Sequence, residues 1–420
     1  MALTEKDYRR NFIVDSIDMA FFNLGMTFGS VLTLLPLFAK HLGAGNLEIG
    51  LIPAISNLGW AIPAILGAKY SEKYKKKLDL VLKVTLGERL PYFFLALICF
   101  FIASQSPKLA LYLSLLMLGI ATFSAGFLGP PWMTMISKVI RPEKRGTFFA
   151  FGSGLGALMG IGGAALARYF LSKYPFPHNF GYSFLCAGIA LMISFVFLAM
   201  TKEEPNTAPG KDIPLREYLK GIKEVFIDKN FKSYIFSRII NAFSVCFANF
   251  VTVFAVSNFS VSDKVVANFT AILLASQGIS SFIYGPLGDK LGHKITLALG
   301  RLFVVIDLIL LIFGNSITCI YLSFILLGFI NGAFAVGDFA IILDLAPTGK
   351  KELYVGVLNF ISSPFSFAFP LIAGRIADLK GYIFLFSSLL LISIFSFIYF
   401  VIKVEDPKKN DKNLNYVNNN

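Results

Sequence analysis

The chain is a series of apolar blocks, each about 20 to 28 residues long and separated by short polar segments. A block near 20 residues crosses a hydrocarbon core of about 30 Å as a helix. Inside a bilayer every backbone N–H and C=O must be satisfied internally, which leaves helices or closed barrels. The blocks lack the apolar–polar alternation of a barrel strand, so helices are predicted. Twelve spans follow, near residues 11–38, 47–69, 78–103, 108–137, 145–172, 181–200, 233–259, 265–287, 293–314, 318–345, 351–376 and 381–402. Composition points the same way. Hydrophobic residues are 56% and charged residues 15%, against about 25% charged in soluble domains. Two soluble domains are thereby excluded.

Lys and Arg set the expected orientation. With the N-terminus inside, 27 of the 38 fall on the cytoplasmic side, 7 outside and 4 within spans. The reading is a multi-pass protein of the cell membrane with both termini cytoplasmic. The net charge of +13 is then an attraction to the anionic bilayer surface, not a nucleic-acid footprint. The first ten residues are polar and the run after them exceeds a signal core, so the first span is expected to stay. Cys99, Cys186, Cys246 and Cys319 lie in apolar blocks without paired spacing, and His41, His178 and His293 lie in predicted loops. No metal site or cofactor is expected. The sequence carries no Walker-type phosphate loop and no legible nucleophile–base pair, which argues against ATP-driven transport and against an enzyme.

The halves resemble each other. Residues 111–119 (LYLSLLMLG) match 320–328 (IYLSFILLG), Gly87-Glu88-Arg89-Leu90 resembles Gly300-Arg301-Leu302, and Asn11-Phe12 recurs as Asn230-Phe231. The matches keep the same order, as in an internally duplicated membrane protein. The expected domains are a six-helix bundle at 1–200, a cytoplasmic linker at 201–232, a second bundle at 233–402 and a disordered tail at 403–420. Leu215, Leu219, Ile222 and Phe226 predict a surface helix in the linker.

A polar segment at 285–294 (GPLGDKLGHK) follows span 8, and a worn echo stands at 67–77 (GAKYSEKYKKK). On Gly285, Asp289, Gly292 and Lys294 the chain resembles the major facilitator superfamily of secondary transporters. In the echo, Ser71 stands where the acid should be, Tyr74 where the second glycine should be, and Glu72 is displaced by one. The resemblance implies an all-α fold of two pseudo-symmetric bundles around a central cavity, lined by spans 1, 4, 7 and 10. It also implies that the segment latches one bundle to the other. Asp289 is expected to cap the start of span 5, near Glu143 to Gly146.

Charges at bilayer depth are costly and mark function. The coupling and cavity candidates are Asp15 and Asp18 on span 1, Glu88 on span 3, Arg238 and Asn241 on span 7, and Asn331 and Asp338 on span 10. Similar depths permit Arg238 to pair with Asp18 or Asp338. Arg89, Arg301 and Asp307 lie on spans 3 and 9 and are expected to tie helices within each bundle. Pro53, Pro63, Pro130 and Pro131 are expected to bend or break their helices. Gly152, Gly156, Gly160 and Ala164 are expected to pack span 5 against span 8. The functional expectation is a monomeric, proton-coupled carrier of a small molecule, exporting a drug or metabolite. Uptake of a sugar, organic acid or peptide is the alternative, and a non-transporting sensor or membrane enzyme is more distant.

Overall fold

In the computed structural model, residues 3–71, 73–141, 144–205, 227–259, 261–346 and 351–406 are described. Among them the secondary structure is helical. The elements are α1 (Glu5–Phe28), α2 (Leu34–His41), α3 (Asn46–Ser71), α4 (Lys77–Arg89), α5 (Pro91–Phe101), α6 (Pro107–Val139), α7 (Arg145–Lys173) and α8 (His178–Ala199). The second half holds α9 (Lys229–Ser244), a 3₁₀ turn (Val245–Phe247), α10 (Ala248–Phe259), α11 (Asp263–Leu291), α12 (His293–Phe313), α13 (Ile317–Leu345), α14 (Lys351–Lys380) and α15 (Tyr382–Lys403). The expected linker helix and tail residues 407–420 lie outside the described residues, whereas Lys403 ends α15 and Glu405, expected in a disordered tail, is held by hydrogen bonds to Asn230.

Among the described residues, eleven stretches are long and apolar enough to cross a membrane. The first expected span is the exception. It divides into α1, which carries Asp15 and Asp18, and the eight-residue α2. The expected bends fall elsewhere. α3 continues through Pro53 and Pro63, and α6 through Pro130 and Pro131. The third span breaks at Leu90, where Pro91 opens α5. Proline at a helix start costs little, because its missing N–H would be unpaired there anyway. The seventh span changes to 3₁₀ at 245–247, where Asn249 donates a side-chain bond to the Cys246 carbonyl (3.2 Å).

Contacts divide the chain into two compact units, residues 1–212 with 260–271 and residues 213–259 with 272–420. In the first, the core joins α4, α6, α7 and α8 through Leu78, Met135, Ile136, Phe148 and Leu198. The glycine stripe of α7 meets α1. A Cβ at Gly156 would stand 2.6 Å from the Asn23 amide, and one at Gly152 2.9 Å from the Met19 sulfur. The stripe therefore seats α1, the helix that carries the buried acids. In the second unit, Phe231, Tyr234, Leu297, Ile342, Val357 and Phe400 form the core among α9, α12, α13, α14 and α15.

Candidate functional site

The repeated Asn-Phe pair has a structural meaning. Asn11 on α1 donates to the Lys202 carbonyl (2.9 Å) and accepts from the Lys202 N–H (2.9 Å). Asn230 on α9 does the same to Glu405, at 3.1 and 2.8 Å. A carboxamide can satisfy a backbone donor and acceptor together. In each unit this clamp fixes the segment that leaves the last helix. The next residue is an acid at the start of the third span. Glu203 accepts the Leu78 N–H (2.7 Å) and the Lys138 ammonium (3.0 Å). Its carboxylate meets the positive end of α4. Asp406 lies against Gly292, where a Cβ would come within 2.1 Å of its Oδ2. Sequence reading missed Glu203 and Asp406. A partial signal was available, because an acid stands one or two residues before a proline at the end of each half, in Glu203-Glu204-Pro205 and Asp406-Pro407.

Asp15 and Asp18 follow Asn11 by four and seven residues, so all three share one helical face. They were expected to line the cavity. Instead they are buried inside the first unit, with Asp15 1% and Asp18 4% exposed. Arg89 gathers the cluster. Its guanidinium donates to Asp18 (3.4 Å), Glu88 (3.2 Å), the Ser194 hydroxyl (3.0 Å) and the Leu191 carbonyl (3.0 Å). Thr85 adds a bond to Glu88 (3.2 Å), Ser194 one to Asp18, and Thr201 one to Asp15. The second Asp15 oxygen has no hydrogen-bond partner. Arg89 therefore ties α4 to α1 and α8, and Asp18 takes Arg89 as partner rather than Arg238. Ser194 and Thr201 carried no legible signal, since an isolated hydroxyl in an apolar run is commonplace.

In the second unit Arg238 pairs with Asp338 (3.4 Å), the other partner expected for it. Tyr234 donates to the same carboxylate (3.0 Å). The pair is half-open, with side chains 26% and 27% exposed. Arg301 is 2% exposed and stands 3.6 Å over the Phe400 ring. Its Nε and Nη1 have no hydrogen-bond partner. It joins α12 to α15 by cation–π contact rather than through a carboxylate. Asp307 is fully buried and neither oxygen is hydrogen-bonded; Ser323 is the polar side chain beside it. Asn241 is buried with a free acceptor, and Asn331 is half-buried two turns before Asp338.

The polar segment after span 8 is less of a loop than expected. α11 runs through Gly285 and Pro286 to Leu291, and Gly292 alone makes the break, at φ 95° and ψ 144°. That conformation and the Asp406 carboxylate both demand glycine. Lys294 donates to the Val401 carbonyl (2.8 Å). In the echo, Lys77 is buried and donates to the carbonyls of Ser71 and Tyr74 (3.2 Å to the latter). The Asp289 side chain lies outside what the structure describes, as do Glu143 and the side chain of Arg145 at the start of α7.

Comparison with known proteins places these features in a family. An uncharacterized MFS-type transporter of Methanocaldococcus jannaschii is 24% identical over 376 residues, covering 86% of this chain and 88% of its own. The quinolone resistance protein NorA of Staphylococcus aureus is 27% identical over 143 residues, a third of this chain and 36% of its own. A point variant of the nucleoside transporter NupG superposes with a TM-score of 0.73 at 13% identity, covering 94% of this chain and all of its own. Residues 6–164 and 235–416 match the Major Facilitator Superfamily, and the chain belongs to that family of multi-pass membrane transporters, which are not enzymes.

Proposed function

We propose that the protein is a proton-coupled secondary transporter of a small molecule. It works by alternating access between six-helix bundles at 1–200 and 233–402, joined by the linker at 201–232. The observation that carries coupling is the sealed cluster of Asp18, Glu88 and Arg89. One guanidinium holds two carboxylates, and a third acid, Asp15, stands beside them. A proton taken by one acid leaves Arg89 paired with the other. The exchange therefore avoids the large cost of a buried unpaired charge. Asp338 and Arg238 are a second, more open candidate. Asn241 and Asn331 are the groups offered to a polar solute.

Export of a drug or metabolite is the first reading, supported by the similarity to a quinolone resistance protein over 143 residues. Uptake of a polar solute is the second, supported by the free acceptor of Asn241. The excess of Lys and Arg supports a cell-membrane protein with both termini cytoplasmic. The test is transport by purified protein in proteoliposomes under an imposed pH gradient, with a quinolone and a nucleoside as first solutes. Accumulation is expected to collapse with a protonophore and with Asp18→Asn. Accumulation that survives both overturns proton coupling at this cluster.

A further inference from the structure

The lysines around the start of α4 are not accounted for by transport. A groove of about 420 Å³ opens on the outer face of this helix, lined by Tyr74, Asp79, Leu82, Lys83 and Leu86. The Lys83 ammonium stands 5.8 Å from the centroid of the Tyr74 ring, and Lys73 stands 5.2 Å from that of Tyr70. The opposite face of α4 is spoken for. Leu78, Leu80, Val81, Thr85, Glu88 and Arg89 are buried in the first unit.

From the groove an exposed apolar stripe runs away along the third span. Leu86, Leu90, Phe94, Leu97 and Phe101 recur at steps of three and four, the spacing of one helical face, and Leu90 keeps helical dihedrals (φ −61°, ψ −34°) across the junction of α4 and α5. The last four are 40%, 51%, 48% and 68% exposed. From Lys83 to Phe101 the stripe covers about 27 Å at 1.5 Å per residue. It is long enough for an acyl chain of one leaflet to lie along it. A polar pocket at one end of an apolar track has the two-part chemistry of a phospholipid.

Charge selects the headgroup. Lys73, Lys75, Lys76 and Lys83 are exposed, and Asp79 is the only acid between residues 73 and 83. A phosphate is drawn to the lysines. Asp79 can accept hydrogen bonds from hydroxyls further out on the headgroup. We propose that this groove is a binding site for an anionic phospholipid with a hydroxylated headgroup. The phosphate would sit at Lys83, the lysine that lines the groove, with the exposed Lys73 adding positive charge to the same segment, and one acyl chain would lie on Leu90, Phe94, Leu97 and Phe101. The site is independent of the transport reading and stands or falls without it.

Native mass spectrometry on delipidated full-length protein tests the proposal, with phosphatidylglycerol, phosphatidylethanolamine and phosphatidylcholine of matched chains. Phosphatidylglycerol should be retained in preference to the other two. Removing two lysines in the double variant Lys73→Ala/Lys83→Ala should weaken it about thirtyfold. Lys108→Ala, an exposed lysine elsewhere on the unit, should bind as the unaltered protein does. Asp79→Asn should hold the lipid at least as tightly, a direction that misfolding cannot mimic. The proposal is overturned by equal retention of the three lipids, by displacement with inorganic phosphate alone, or by unchanged binding in the double variant.

Discussion

The two halves keep the same clamp and fill it with different charges. Counting from the clamp asparagine, positions four and seven hold Asp15 and Asp18 in the first half but Tyr234 and Ser237 in the second. In the first unit two carboxylates on α1 and α4 converge on an arginine of α4, sealed at 4% and 3% exposure for Asp18 and Arg89. In the second, the arginine stands on α9 and its carboxylate on α13, and the pair is open to about a quarter of its surface. The clamp bonds main chain, so it constrains the scaffold and tolerates little change. The charges bond mainly side chains, one another and nearby hydroxyls, so a duplicated scaffold can exchange their places. The sealed cluster suits holding a proton, and the open pair suits meeting a solute.

The largest expected effect would break this contrast if it failed. Arg89→Ala strands two buried carboxylates and should cost about 3–5 kcal/mol, read as a fall in melting temperature in detergent. Arg238→Ala, half-exposed, should cost about 1 kcal/mol or less. Equal losses would mean that burial does not separate the two sites.

Glycine sharpens the contrast between the two ends of the span-8 segment. Gly292→Ala should destabilise by about 1–3 kcal/mol, since its backbone region is nearly glycine-only and Asp406 occupies the space. Gly285→Ala meets nothing within 4 Å and should gain a few tenths of a kcal/mol from helix propensity. Thermal melting of the two variants decides it; similar losses would put the constraint on the whole segment rather than on Gly292.

The clamps come next. Asn11→Ala and Asn230→Ala each remove two backbone bonds and should cost about 1–3 kcal/mol. The fully buried Asn11 should lose more. A clamp whose loss is silent in one half would show that the duplication is no longer functional there.

The smallest effect is a titration. Asp7 lies at the surface in the first turn of α1, held well below the usual carboxylate range by the Lys202 ammonium (2.7 Å) and Thr4. Because the folded value is depressed, its contribution is present above pH about 4, where a free aspartate ionises. It fades as pH falls through the folded value. Asp7→Asn should flatten that acid limb of the melting profile and lower stability at neutral pH by the same small amount that the limb spans. An unaltered acid limb would remove Asp7 from the account.

Much of the fold was legible because a bilayer leaves few choices. Blocks of about 20 apolar residues must become helices, and the paired Asn-Phe and span-4/span-10 repeats exposed the duplication. The positions of the acids along α1 and α4 were legible too, as charges in apolar runs. Helix breaks were not. Pro53, Pro63, Pro130 and Pro131 stay inside helices, while Leu90 and Val245–Phe247 interrupt them. Membrane helices accommodate proline when neighbours and local adjustments satisfy the freed carbonyls.

Partner choice lay further out of reach. Depth along a span placed Asp18, Arg238 and Asp338 at one level, but depth is one coordinate of three. Which face of a helix meets which neighbour is set by packing, here by Gly152 and Gly156 seating α1 on α7. That seating leaves Asp18 beside Arg89. The sequence by itself determined a duplicated, multi-pass helical transporter scaffold and its inventory of buried charge, because hydrophobic length and desolvation cost are properties of the chain. Only the tertiary structure decided that Asp18 belongs to Arg89, that Asp338 belongs to Arg238, and that Glu203 and Asp406 close the third span of each half. Those pairings join residues as far as 125 positions apart, and only the packing of whole helices brings such residues within reach.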